Sequence, residues 1–170
     1  MIAVRDLDRA AADFTRLGFT LTPRGFHSIG SQNHCIMLSS TYLELLAAPV
    51  AHPWLDYYRA FLERGEGLAA IAYATQDADA TYAELKDRGA KPPMDLSRPV
   101  EGGVARFRLV QFEDTRFYVQ HLTRELVWRP HWQAHRNGAQ ELVAAEWPSL
   151  LKIRGLSSKA EAHGLRLEPA

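Results

Sequence analysis

One carboxylate and a group of histidines are the residues of this chain with the most chemical capacity. Glu44 stands in the run YLELLA, where Tyr42, Glu44 and Leu46 share one face of a strand and Leu43 and Leu45 share the other. A carboxylate among apolar neighbours is costly to bury unless it is paired, metal-bound or protonated. Glu44 is therefore a candidate metal ligand or proton acceptor; the plainer reading is a solvent-facing edge position. His27, Asn33 and His34 lie in and beside the loop between Gly25 and Gly30. Glycines let the backbone fold back there. The imidazoles can then enter a cleft, where histidine serves metal ligation or proton transfer near neutral pH. The plainer reading is a loop histidine bonded to backbone.

Gln120 and His121 are neighbours on a strand, so their side chains must face opposite ways. Only one of them can face a cleft, and His121 is the better ligand chemically. His131 and His135 are four apart, which would put them on one face of a helix. No Glu directly follows the first, so the pair is not the metalloprotease signature, and a polar helix face is the simpler account. Trp128 and Trp132 read as packing over a cleft edge. Cys35, between apolar residues on a strand, reads as core. Asn137–Gly138 reads as a turn.

The elements that must position these groups occur twice. After a short apolar strand, Asp6 or Asp8 can cap a helix ending at Gly18, with Ala10, Ala11, Phe14 and Leu17 on one face. Strands are expected over 19–23, 34–38 and 42–47. A connector over 49–67 holds an aromatic-rich helix at 54–63. A strand over 68–75 then leads to a helix capped by Asp77 or Asp79 and stopped by Gly89. A loop is expected from Pro92 to Gly102–Gly103, then strands over 104–112 and 116–121. DLDRAAADFTRLGF in the first half corresponds to DADATYAELKDRGA about 71 positions later. The same order of elements in both halves predicts one βαβββ unit used twice. Module one is 1–48 and module two 68–121, with a closing segment at 122–139 that holds a short helix begun at Pro130. Residues 140–170 read as a helical extension, with helices near 141–152 and 157–163.

Composition narrows the function. Lys and Arg total 20 and Asp and Glu total 20, so net charge gives no reason to expect nucleic acid or an anionic membrane as partner. A single cysteine permits no intrachain disulfide. No apolar run reaches the roughly 18 residues of a membrane span, and no signal peptide is visible. A cytoplasmic protein is the expectation.

The run IAVRDLDRAAADFTRLGF resembles the opening of a vicinal oxygen chelate module. GFHSIGSQNHCIMLSSTYLELLA and RELVWRPHWQAHRNGA together resemble the glyoxalase-like subfamily, over roughly residues 1–139. The resemblance implies an α+β fold of paired βαβββ modules whose curved mixed sheet surrounds a cleft. It also implies a divalent metal (Zn, Ni, Mn or Fe) held by His and Glu from the first and fourth strands of each module, acting as a Lewis acid. Only Glu44 clearly matches that ligand pattern. The first-strand His would precede Met1, the fifth-strand position falls within Leu68–Ala70, and the eighth-strand position is Gln120 by family register. The candidate metal set is Glu44, His27 and His121. The candidate catalytic set is His27, His34 and Glu44. Asn33, Tyr42, Gln120, Trp128, His135 and Asn137 are candidates for substrate contact. The leading expectation is a glyoxalase-like small-molecule enzyme or enzyme-derived domain, metal-assisted and of lyase or dioxygenase type; the alternatives are a metal-independent binder of an aromatic or drug-like molecule and a dimerising module without chemistry. Four tryptophans, six tyrosines and seven phenylalanines suit the binder.

Overall fold

A computed structural model describes residues 1–147 and 149–170. The first half runs β1 (Ile2–Ala3), α1 (Leu7–Arg16), β2 (Gly25–Phe26), β3 (Gln32–Met37) and β4 (Tyr42–Ala47). Asp6 caps α1 by accepting from the Arg9 amide at 2.9 Å, and the helix buries Leu7, Ala10 and Phe14. Gly18 turns the chain out at φ +89°, a conformation open to glycine at no steric cost. After α2 (Asp56–Arg64) and β5 (Gly67–Leu68), the order repeats as β6 (Ile71–Ala74), α3 (Ala78–Leu85), β7 (Met94–Val100), β8 (Gly103–Glu113) and β9 (Arg116–His121).

The duplication shows in the strand order. The first sheet reads β2-β3-β4-β1-β5 and the second β6-β9-β8-β7. In each, the first strand of the module lies parallel to the fourth, and the fourth, third and second run antiparallel in turn. The apolar run expected as one strand over 68–75 is split: β5 closes the first sheet against β1, and β6 opens the second. Between them the Ala69 and Ala70 amides donate to the Met1 carbonyl. At the opposite edges β2 meets β7, where the Ser28 amide donates to the Ser97 carbonyl at 3.0 Å. The two sheets are thus joined at both ends, and the space between them is the cleft.

Three further expectations fail. The loop expected from Pro92 to Gly102–Gly103 contains β7, paired with β8 over seven residues. Prolines and glycines flank that strand, and they conceal its period-two pattern. The segment 19–23 forms no strand, although the Thr22 amide donates to the Cys35 carbonyl at 2.8 Å. The helical extension at 140–170 is instead a third sheet of β10 (Glu141–Glu146), β11 (Leu150–Arg154), β12 (Ala160–Ala162) and β13 (Leu165–Pro169), ordered β10-β11-β13-β12. Its Leu151, Ile153, Leu165 and Leu167 are fully buried in one core with Phe14 and Ala10 of α1. Burial of these branched chains at alternate positions outweighs the helix propensity of Ala, Glu, Leu and Lys.

Candidate functional site

The cavity between the first two sheets has an empty volume of about 880 Å³, open mouth included. Period-two alternation decides what enters it. From β4 come Tyr42, Glu44 and Leu46; from β9, Phe117, Val119 and His121; from β7, Met94, Leu96 and Arg98. The connector helix adds Tyr57 and Tyr58. Most of the lining is apolar or aromatic; Gln111, Glu113 and Asp114 line it from the end of β8 and the turn after it, while His27, Ser31, Asn33 and Glu44 gather at one end.

At that end a chain of hydrogen bonds runs from loop to strand. His27 Nδ1 lies 2.9 Å from Ser31 Oγ, and its Nε2 lies 3.5 Å from the Asn33 amide nitrogen. The same Asn33 nitrogen donates to Glu44 Oε1 at 2.8 Å. Gly25 makes room for this arrangement: a Cβ there would collide with Asn33 Oδ1 and come within 2.9 Å of Arg98 Cδ. Burial lowers the His27 pKa; Glu44 opposes the effect and Arg98 adds to it. Burial, then Glu44, pushes the Cys35 thiol up to about 12, so it is no thiolate nucleophile at neutral pH. Burial and Glu44 likewise keep the Tyr42 phenol protonated.

His121 sits in an aromatic box, with ring centroids 5.0 Å from Trp128, 5.2 Å from Phe107 and 5.9 Å from Tyr42. Burial, then Arg124 and Arg98, pushes its imidazole down to about 4, so it is neutral at pH 7. Its Nε2 is buried and has no hydrogen-bond partner among the described residues.

A sequence model of the glyoxalase-like domain matches residues 1–147. The chain belongs to that family. Glyoxalase-like domains are members of the vicinal oxygen chelate superfamily, in keeping with the paired modules seen here. A crystal structure of a hypothetical protein from Staphylococcus aureus superposes over 99% of this chain and 97% of its own, with a TM-score of 0.71 at 13% identity, a likeness of fold alone. A crystal structure of a V278E glyoxalase I mutant from Zea mays aligns with 90% of this chain and 47% of its own at 18% identity, but its TM-score of 0.26 carries no argument. No curated protein matches the sequence.

Against the metal site that the glyoxalase-like fold implies, the donor set of this chain does not fit. Among the described residues no three His, Cys, Asp or Glu side chains are grouped to hold an ion. The Asn33 NH₂, a hydrogen donor and no metal ligand, lies within reach of both His27 Nε2 and Glu44 Oε1.

The candidates drawn from sequence divide cleanly. His27, Asn33, Tyr42, Glu44 and His121 line the cavity. Gln120, placed in the cleft by family register, points the other way: its Oε1 accepts from the Ala78 amide at 3.1 Å and its Nε2 donates to the Gln76 carbonyl at 2.7 Å, pinning the start of α3. His34 turns from the cavity and lies 2.7 Å from the Thr22 carbonyl through Nδ1. His135 bridges the Thr20 amide at 3.0 Å and the Met37 carbonyl at 2.9 Å. Asn137 donates to the Leu17 carbonyl at the end of α1 at 2.9 Å. These last two anchor the closing segment and touch no cavity. Trp128 backs His121 without lining the cavity itself. His131 and His135 share no helix, because only a single 3₁₀ turn forms at Pro130–Trp132. Arg98 is a buried charged cavity residue that sequence reading missed; its signal was the alternation Met94, Leu96, Arg98.

Proposed function

We propose that this glyoxalase-like domain binds a small, largely apolar or aromatic organic molecule in the cavity between its sheets, without a resident divalent metal. The observation that supports this most is the lining: largely apolar and aromatic walls with a hydrogen-bonded cluster of His27, Ser31, Asn33 and Glu44. Such a cavity gains affinity from the buried apolar body of a ligand, and its few polar groups fix orientation. Glu44, oriented by Asn33, is the group best placed to exchange a proton with a bound molecule. If the domain turns its ligand over, Glu44 acts as the base and neutral His121 as a hydrogen-bond partner.

The test joins metal analysis to ligand screening. The purified chain is analysed for transition metals, as isolated and after reloading, alongside Glu44→Ala. It is then screened by thermal shift against aromatic and aliphatic compounds in chelator. The expected result is no stoichiometric metal and a raised Tm with compounds carrying an apolar body. About one equivalent of metal, lost in Glu44→Ala, would overturn the metal-free reading in favour of a metal-assisted lyase or dioxygenase.

A further inference from the structure

Arg98 is the least explained group in the molecule. It lies on β7 with 4% of its surface exposed, yet it lines the cavity. Its Nε has no hydrogen-bond partner, and among the described residues it joins no ion pair. Among the described residues fourteen close charge pairs occur elsewhere, nearly all at the surface, so carboxylates are available to arginines in this fold. Glu44, across the cavity on the other sheet, is hydrogen-bonded to Asn33 and stands outside ion-pair distance. Glu113 and Asp114 lie exposed at the mouth, and Glu113 is held by Arg116.

A buried cation without a partner is costly, and natural interiors avoid it unless a ligand completes the pair. The backbone has been arranged to keep this one: a side chain at Gly25 would press on Arg98 Cδ and Nη1, at 2.9 and 3.0 Å. Arginine presents a planar fork of donors that suits carboxylates and other oxyanions in a two-point contact.

We infer that Arg98 is an anion-recognising residue, and that the ligand of this cavity is an organic acid whose carboxylate meets the Arg98 guanidinium while its apolar body lies along the aromatic wall. This rests on the reading that the cavity takes a small molecule, and it adds the class of molecule. Glu44 on the facing sheet selects against dianions. A hydrogen-bond donor on the ligand, such as a hydroxyl, would be received there.

The experiment measures affinities for pairs of near-equal shape in which a carboxylate is replaced by its neutral amide: benzoate and benzamide, 1-naphthoate and 1-naphthamide, octanoate and octanamide. Titrations use the unaltered chain, Arg98→Met and Arg98→Lys in chelator, with acetate as a control without a body. The acid of at least one pair should bind about 10- to 100-fold tighter than its amide, the range of a charge-assisted contact. That ratio should fall to near one in Arg98→Met and recover in part in Arg98→Lys, and the amide should bind all three proteins alike. Ligand-free Arg98→Met should melt no lower than the unaltered chain, because an uncompensated charge has been removed. Acid and amide binding equally overturns the inference but leaves the cavity reading standing. Failure of every acid and amide to bind contradicts the cavity reading and removes the inference with it. If Arg98→Met does not fold, the ratio in the unaltered chain decides alone.

Discussion

Asn33 holds the polar end of the cavity together, because one amide nitrogen reaches both the Glu44 carboxylate and the His27 ring. Replacing it removes the partner of a part-buried carboxylate, at a cost of about 1–3 kcal/mol. Asn33→Leu should lower stability by that amount in urea unfolding. The loss should shrink in a Glu44→Gln background, since residues in contact are coupled. His121 makes a pH prediction. Its folded pKa is held near 4 by burial, then by Arg124 and Arg98, against about 6.5 in an unfolded chain. The folded state then binds fewer protons than the unfolded one between these values. Stability is therefore full above pH 6.5 and falls as the pH drops toward 4. His27 and His135 are lowered as well and carry the same sign. His121→Phe, which keeps a ring in the aromatic box, should reduce the slope of unfolding free energy between pH 7 and 5 without abolishing it; an unchanged slope would mean that His121 is not buried as described. At this scale the sequence candidates His27, Asn33, Tyr42, Glu44 and His121 line the cavity, because glycine punctuation and strand alternation turn them inward. His34, His135 and Asn137 lie outside it. A polar residue that satisfies a backbone group across 12 to 120 positions looks, in one dimension, like a residue waiting for a ligand.

The strands that carry the site were legible where alternation was uninterrupted, as in β4 and β9, which run Tyr42–Ala47 and Arg116–His121. They were not legible where proline and glycine crowd the flanks. That is how β7 and Arg98 were read as loop. The tail failed for another reason. Its Ala, Glu, Leu and Lys content favours helix locally, but β11 is flanked by β10 and β13 and gains its place through contacts with α1. Pro148 in the middle of the expected helix was a sequence signal against it. The entry to this third sheet depends on two glycines facing each other. A Cβ on Gly155 would collide with the Gly138 carbonyl oxygen, and Gly155 has φ +83°. Gly155→Ala should therefore cost on the order of 2 kcal/mol or more, from steric clash and backbone strain together. Calorimetry should show the lowered Tm, and because the contact is remote from the cavity, ligand affinity should stay unchanged in the folded fraction.

In the whole molecule the duplicated sheets supply the cavity and the third sheet supplies a core. The two roles barely overlap. Leu151, Ile153, Leu165 and Leu167 pack with α1 on the outer face of the first sheet, whereas Tyr42, Glu44, Arg98 and His121 face inward. The duplication was visible in sequence because both halves keep an acidic cap, a short helix and a terminal glycine. The closure of the two sheets was not, since it depends on a two-residue break at Ala69–Ala70 and on one edge contact between β2 and β7. No described helix is long and apolar enough to cross a membrane. The central claim is that the cavity recognises its ligand with protein groups alone. It is tested most directly by titrating metal-stripped protein by calorimetry with whichever of benzoate, 1-naphthoate and octanoate binds most tightly, then repeating the titration after addition of Zn, Ni, Mn or Fe. One site per chain, with the same affinity in chelator and in each metal, is the result predicted. Binding that appears only with metal, and vanishes again in Glu44→Ala, would contradict it.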